Sequence, residues 1–138
     1  MDTFDRLIFV VFTIVVVLQL FSMMRKRQYK TARSNIKNEV SSPVNTPQVI
    51  YFWSHQCNQC KTAQKPALNR LHKLLGDSRL MITSVNINEN PEKANSWDVK
   101  TVPTTYVLDV KGKLRFINNG LTSEHKILEQ LQSIQVKI

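Results

Sequence analysis

An uncharged, apolar run near the N-terminus, residues 7–24, limits the fold of this chain more than any other feature. Its polar members are Thr13, Gln19 and Ser22. At a rise of about 1.5 Å per residue, a helix of this length nearly spans the ~30 Å hydrocarbon core of a bilayer. A cleaved signal peptide begins with basic residues and ends at a site with small residues, whereas this run follows MDTFDR and precedes no such site. The run therefore predicts a retained transmembrane helix after a short N-terminal flank, residues 1–6.

The segment after the run, residues 25–47, is basic at first and then rich in Ser, Asn, Thr and Pro. It holds few large apolar side chains and cannot bury enough surface to offset the entropy lost on ordering, so we expect a tether in which residues 29–40 form at most a marginal helix. It carries much of the basic charge behind the formal net charge of +9, at Arg25, Lys26, Arg27, Lys30, Arg33 and Lys37. These residues are not interleaved with exposed aromatics on a folded face, so the pattern does not indicate nucleic-acid binding, and anionic lipid headgroups are the simpler partner.

From residue 48 onward the pattern is that of a folded α/β domain, residues 48–138. It begins with a short, continuous apolar run, residues 49–53, which is typical of a strand buried on both faces. The other predicted elements follow in order: a helix over residues 67–75 that stops at Gly76, a strand over 80–87, a short helix over 91–96, two strands over 104–108 and 114–117 with a turn at Gly112, and a final helix over 127–134. The order β-α-β-α-β-β-α predicts a central mixed sheet flanked by helices.

The two cysteines of the chain, Cys57 and Cys60, lie between the first predicted strand and the first predicted helix of this domain. A metal clip, a structural disulfide and a redox pair compete as explanations, but a disulfide between them would close too small a loop to restrict the unfolded chain. At a helix N-terminus, the dipole and the unpaired N–H groups stabilise a thiolate and lower the pKa of Cys57, and Lys61 and a protonated His55 would add to this effect. Cys60, one turn further on, is placed to attack a mixed disulfide formed on Cys57.

Several motifs together resemble the thioredoxin superfamily over nearly all of residues 49–134. The motifs that carry the resemblance are Phe52-Trp53, Cys57-Asn58-Gln59-Cys60-Lys61, the stretch over residues 85–91, Thr101-Val102-Pro103-Thr104 and Gly120. The resemblance implies a minimal thioredoxin fold that needs no bound cofactor. It also implies that the peptide bond before Pro103 is cis, that Pro103 lies against the cysteines, and that the backbone of Val102 pairs with a bound peptide.

Some positions depart from the family pattern. Asn58 and Gln59 stand where thioredoxins usually have Gly-Pro, so the strongly reducing character of thioredoxins does not carry over. The buried aspartate of the family falls at Tyr51 and its lysine neighbour falls at Ser84, so proton handling must differ. The family's initial strand and helix have no clear counterpart in the sequence.

The leading interpretation is a membrane-anchored thiol–disulfide oxidoreductase that exchanges electrons with cysteines of other proteins and with an upstream electron donor or acceptor. We expect a monomer that binds no metal. Its predicted site comprises Cys57 as nucleophile, Cys60 as resolving cysteine, Trp53, Val102 and Pro103 at the substrate, and His55, Asn58, Gln59 and Lys61 in support. Two alternatives stay open: a metal-binding or copper-delivery module that uses Cys57, Cys60 and His55, because Cu(I) suits two thiolates, and a non-catalytic accessory module with the same fold.

The charges beside the apolar run predict its orientation. Arg6 is the cationic side chain before the run, where it lies near Asp2 and Asp5, whereas the basic residues of the tether follow the run closely. Since basic residues near a span tend to stay on the cytoplasmic side, we expect a single-pass protein of the cell membrane with its domain on the cytoplasmic face. The extracytoplasmic face is the alternative, because many anchored thioredoxin-like proteins work where disulfide chemistry is abundant.

Overall fold

The protein is described by a computed structural model over residues 3–39 and 45–135. The elements are, in chain order, helix α1 (Thr3–Glu39), strand β1 (Gln48–Trp53), a π-helical turn (Cys60–Gln64) that leads into helix α2 (Lys65–Leu75), strand β2 (Met81–Asn86), helix α3 (Pro91–Ser96), strands β3 (Thr104–Leu108) and β4 (Leu114–Asn119), and helix α4 (Glu124–Gln135). After α1, this is the β-α-β-α-β-β-α order that the sequence predicts.

The four strands form one mixed sheet in the order β2-β1-β3-β4. Strand β1 pairs in parallel with β2 and antiparallel with β3, and β3 pairs antiparallel with β4. The register sets Trp53 opposite Asn86 and Phe52 opposite Thr104. The end of β1, the end of β2 and the start of β3 therefore meet at one edge of the sheet, which brings together the loops that follow or precede them.

Successive side chains of a strand point to opposite faces of the sheet, and both faces of this sheet are covered. On one face, Val49 and Tyr51 belong to a core cluster that includes residues of α2 and α4, such as Leu71 and Ile127. On the other face, three buried aromatic rings pack together. They are Phe52, Trp97 and Tyr106, with ring centroids 5.2–5.8 Å apart. Trp97 thus packs the end of α3 against the sheet.

Helix α1 contains the apolar run and continues through residues 25–39, so this part of the predicted tether is helical. The reason lies in the sequence: no glycine or proline interrupts residues 3–39, and each residue added to an existing helix gains a hydrogen bond. The stretch Phe4–Ser34 is long and apolar enough to cross a membrane, a criterion that signal sequences near an N-terminus also meet. Most large apolar side chains between Phe4 and Met24 are exposed.

The chain divides into two compact units, between Lys30 and Thr31. The unit that contains the sheet therefore starts upstream of the predicted boundary at residue 48, and Ala32 within it is fully buried. Parts of the predicted flank, tether and domain, namely residues 1–2, 40–44 and 136–138, lie outside the described residues.

Candidate active site

The two cysteines lie at the sheet edge where β1 ends, and their sulfurs form a disulfide with a Cα–Cα distance of 5.3 Å. A turn brings the chain from β1 to this point, with the Cys57 N–H donating to the Ser54 carbonyl at 3.2 Å. Cys57 is half-buried at the surface, whereas Cys60 is fully buried in the core cluster. Of the two bonded cysteines, Cys57 is therefore the one with surface that is accessible to another protein.

The N–H of Cys60 donates to the Sγ of Cys57 at 3.1 Å. Backbone N–H groups at the start of a helix have no partner within the helix, and they stabilise negative charge there. When the disulfide is reduced, an N–H in this position favours a thiolate on Cys57. The predicted supporting residues Asn58, Gln59 and Lys61 lie in the same first turn with exposed side chains.

The helix that follows the cysteines begins with a wide turn. The Cys60 carbonyl accepts the N–H of Lys65, one residue further along than in an α-helix. Pro66 explains the wide turn, because proline has no N–H and its ring clashes with the carbonyl four residues earlier in a regular helix. The same Cys60 carbonyl accepts the hydroxyl of Tyr51 at 2.9 Å. Tyr51 is 3% exposed, and burial raises the pKa of its phenol from 10.0 to about 12.

Gln64 ties this wide turn to the segment after β4. Its fully buried side chain donates to the Thr122 carbonyl at 3.0 Å and accepts the Thr122 N–H at 2.8 Å. Sequence reasoning missed this residue. The available signal was its position, because a polar side chain at 64 lies on the same helical stripe as the apolar residues Leu68 and Leu71.

The segment before β3 lies at the same edge of the sheet. The peptide bond between Val102 and Pro103 is cis, as the family resemblance implied. Pro103 is buried and its carbonyl accepts the Gly120 N–H at 2.8 Å. Val102, Trp53 and Cys57 are all partly buried and pack against the core cluster that contains Cys60. Trp53, Cys57 and Val102 thus border the same core cluster, and the roles predicted for Trp53, Val102 and Pro103 at the substrate stay a prediction.

His55 forms a small polar cluster beside the site. Its ring packs nearly perpendicular to the Trp53 ring at a centroid distance of 4.8 Å, and its Nε2 lies 3.3 Å from a Glu89 oxygen. The buried Asn86 donates to the same oxygen at 2.7 Å. Asn86 therefore orients Glu89, and Glu89 contacts His55; both belong to the stretch over residues 85–91, in which sequence reasoning gave neither of them a role. Over residues 3–39 and 45–135, no group of three or more His, Cys, Asp or Glu side chains is arranged to hold a metal ion.

Known proteins share both the sequence pattern and the fold. The thioredoxin family model matches residues 27–133. A thioredoxin of Rhodospirillum rubrum is 28% identical over 87 residues, which are 63% of this chain and 81% of the relative. The thiol-disulfide oxidoreductase ResA of Geobacillus thermodenitrificans is 26% identical over 108 residues, which cover 62% of each chain.

Solved structures agree with this assignment. Thioredoxin-2, a component of the malaria parasite protein secretion machinery, has a TM-score of 0.60 and 25% identity, over 64% of this chain and 84% of that one. Chloroplastic thioredoxin z has a TM-score of 0.62 over 72% of this chain and 88% of that one, and at 19% identity it shows the shared fold. With a family match over most of its length and a bonded cysteine pair at the expected strand–helix junction, the chain belongs to the thioredoxin family and is a thiol–disulfide oxidoreductase.

Proposed function

We propose that this protein is a membrane-anchored thiol–disulfide oxidoreductase that exchanges electrons with cysteines of other proteins through Cys57 and Cys60. The observation that carries the proposal is the unequal burial of a bonded pair: Cys57 is half-buried at the surface, and Cys60 is fully buried behind it. A substrate sulfur reaches Cys57 and does not reach Cys60. This inequality separates an attacking cysteine from a resolving one.

In the reducing direction, the thiolate of Cys57 attacks a substrate disulfide and forms a mixed disulfide, and one substrate sulfur leaves as a thiolate. Cys60 then attacks the Sγ of Cys57 and releases the second substrate sulfur, so the substrate gains two electrons. The protein is left with the Cys57–Cys60 disulfide, which an upstream donor must reduce before the next cycle. In the oxidising direction, the same steps run in reverse.

Substrate docking is proposed at the edge of the sheet around Cys57. Trp53 and Val102 lie partly exposed there, and both pack against the cluster that contains Cys60. The β1–β3 register, which sets Phe52 opposite Thr104, supports a position of the Val102–Pro103 segment beside the end of β1. A peptide that pairs with the backbone of Val102 would present its sulfur to Cys57.

We propose that α1 anchors the protein by a single pass through the cell membrane. Its apolar residues are mostly exposed, which suits contact with lipid, and exposed basic residues follow them at Arg25, Lys26, Arg27 and Lys30. Such residues favour the cytoplasmic side and attract anionic headgroups. The catalytic domain would then face the cytoplasm and act as a reductase of proteins near the membrane.

Alkylation of the reduced protein at mildly acidic pH tests the assignment of the two cysteines. Cys57 should react well before Cys60, because it is only half-buried and a helix N-terminus favours its thiolate. The denatured chain is the control, since both cysteines should then react at similar rates. Equal labelling of Cys57 and Cys60 in the folded protein would contradict the proposed roles.

A further inference from the structure

Two buried tyrosines in the sheet make the same kind of hydrogen bond to different parts of the molecule. Tyr106 on β3 donates its hydroxyl to the Trp97 carbonyl at 2.7 Å, away from the cysteines. Tyr51 on β1 donates its hydroxyl to the Cys60 carbonyl at 2.9 Å. Both side chains are almost fully buried, with 0% and 3% exposure. They differ in that only the Tyr51 hydroxyl touches the main chain of a reactive residue.

The Cys60 carbonyl receives donors from two directions. The Lys65 N–H reaches it along the helix, through the wide turn before Pro66, and the Tyr51 hydroxyl reaches it from the sheet. A carbonyl oxygen has two lone pairs, so both donors can be accommodated. The direction of a side chain follows from its backbone, and a main chain held from both sides therefore limits where Cys60 Sγ can lie.

We propose that Tyr51 is a positioning residue for the resolving step, in which its hydroxyl holds the Cys60 main chain so that Cys60 Sγ stays within reach of Cys57. The inference rests on the proposed function, since it assumes that Cys60 resolves a mixed disulfide on Cys57. In that step the Cys60 sulfur attacks Cys57 Sγ, and its proton passes to the departing substrate thiolate. The Cys57–Cys60 bond forms as the bond from Cys57 to the substrate breaks, and the substrate sulfur leaves with the electron pair.

Tyr51 acts in this step as a neutral donor. Burial raises the pKa of its phenol to about 12, so the hydroxyl stays protonated at neutral pH. A phenolate at this position would also place an uncompensated charge in the core cluster, which is unfavourable. Tyr51 therefore does not accept the Cys60 proton, and its contribution is geometric.

A symmetric aromatic disulfide that releases a coloured thiolate separates the two steps in one stopped-flow trace. The reduced full-length protein in detergent releases one coloured thiolate when Cys57 attacks and a second when Cys60 resolves. The Cys60→Ser variant defines the first phase alone. For Tyr51→Phe we expect an unchanged first phase and a second phase about fivefold slower, which corresponds to about 1 kcal/mol for one lost hydrogen bond.

Tyr106→Phe is the matched control, because it also removes one buried hydroxyl that donates to a main-chain carbonyl. It should lose a similar amount of stability while both phases keep the wild-type rate. A Tyr51→Phe second phase equal to that of Tyr106→Phe would overturn the positioning role. Equal slowing of both phases in Tyr51→Phe would also overturn it, because it would indicate general damage to the site.

Should Tyr51→Phe fail to fold in detergent, ring-fluorinated tyrosine incorporated at position 51 alone supplies the test. Fluorination keeps the ring and the hydroxyl and makes the hydroxyl a stronger donor, so the second phase should become faster and the first should not change. An identical second phase would overturn the proposal. Failure of the proposed function is recognised separately, because Cys57→Ser would then still release the first coloured thiolate at the wild-type rate.

Discussion

Replacement of Gln64 by leucine should destabilise the domain more than its modest change in size suggests. The side chain is fully buried and pairs with both the N–H and the carbonyl of Thr122, itself 6% exposed. Leucine has a similar volume but no polar atoms, so two buried main-chain groups lose their partner. Each unsatisfied group costs about 1–3 kcal/mol, and part of this is recovered by the apolar contacts of leucine. We expect a loss of about 2–4 kcal/mol in the free energy of unfolding.

Thermal unfolding of the full-length protein in detergent, followed by the circular dichroism of the domain, measures this loss. At about 4–8 °C per kcal/mol for a domain of this size, Tm should fall by roughly 8–32 °C. Gln130→Leu is the control: Gln130 is itself partly exposed, and its two hydrogen bonds go to the Asn118 side chain, which has Thr105 as a second partner. The free energy of unfolding of the Gln130→Leu variant should fall by about 1 kcal/mol or less. Equal losses in the two variants would refute the role given to the Gln64–Thr122 pair.

Two further predictions concern alkaline stability and membrane orientation. Because burial raises the pKa of Tyr51 from 10.0 to about 12, the unfolded chain loses this proton first, so the stabilisation from Tyr51 is complete below pH 10 and is lost as pH rises through about 12. The free energy of unfolding of wild type should therefore fall relative to Tyr51→Phe over this window, by up to about 1.4 kcal/mol per pH unit, and parallel curves would contradict the assignment. Protease added to intact, wall-stripped cells should leave the wild-type domain undigested. When Arg25, Lys26 and Arg27 are replaced by serine, the domain should be digested in a fraction of the molecules. Digestion of the wild-type domain would show that it faces outward.

The sequence predicts the element order and the place of the cysteines because both follow from local patterns. A continuous apolar run, residues 49–53, and a helical stripe that ends at Gly76 are each recognisable without knowledge of the rest of the fold. The cysteines lie between these two patterns, so their position at a strand–helix junction follows directly. The motif at Val102-Pro103 predicts a second part of the site, and this segment, with its cis bond, precedes β3 at the edge of the sheet where β1 ends.

The contacts that hold the site depend on distances that the sequence does not contain. Gln64 and Thr122 are separated by 58 positions, and no local pattern pairs them. The substitution at Tyr51 was visible as a departure from the family, but its hydrogen bond to the Cys60 carbonyl depends on the wide turn before Pro66. The helical part of the predicted tether was underestimated for another reason: composition indicates whether a segment can bury surface, whereas an existing helix continues until a residue stops it.

Capture of mixed disulfides in cells tests the central claim most directly. Cys60→Ser leaves the half-buried Cys57 able to attack and removes the sulfur that would release the product, so this variant should accumulate mixed disulfides with other proteins. Cys57→Ser retains only the buried sulfur and should accumulate none, which makes it the matched control. After alkylation of free thiols, the complexes are seen as bands that disappear on reduction. Bands with Cys60→Ser alone are the result we predict, and bands with Cys57→Ser alone, or with neither variant, would contradict exchange through Cys57.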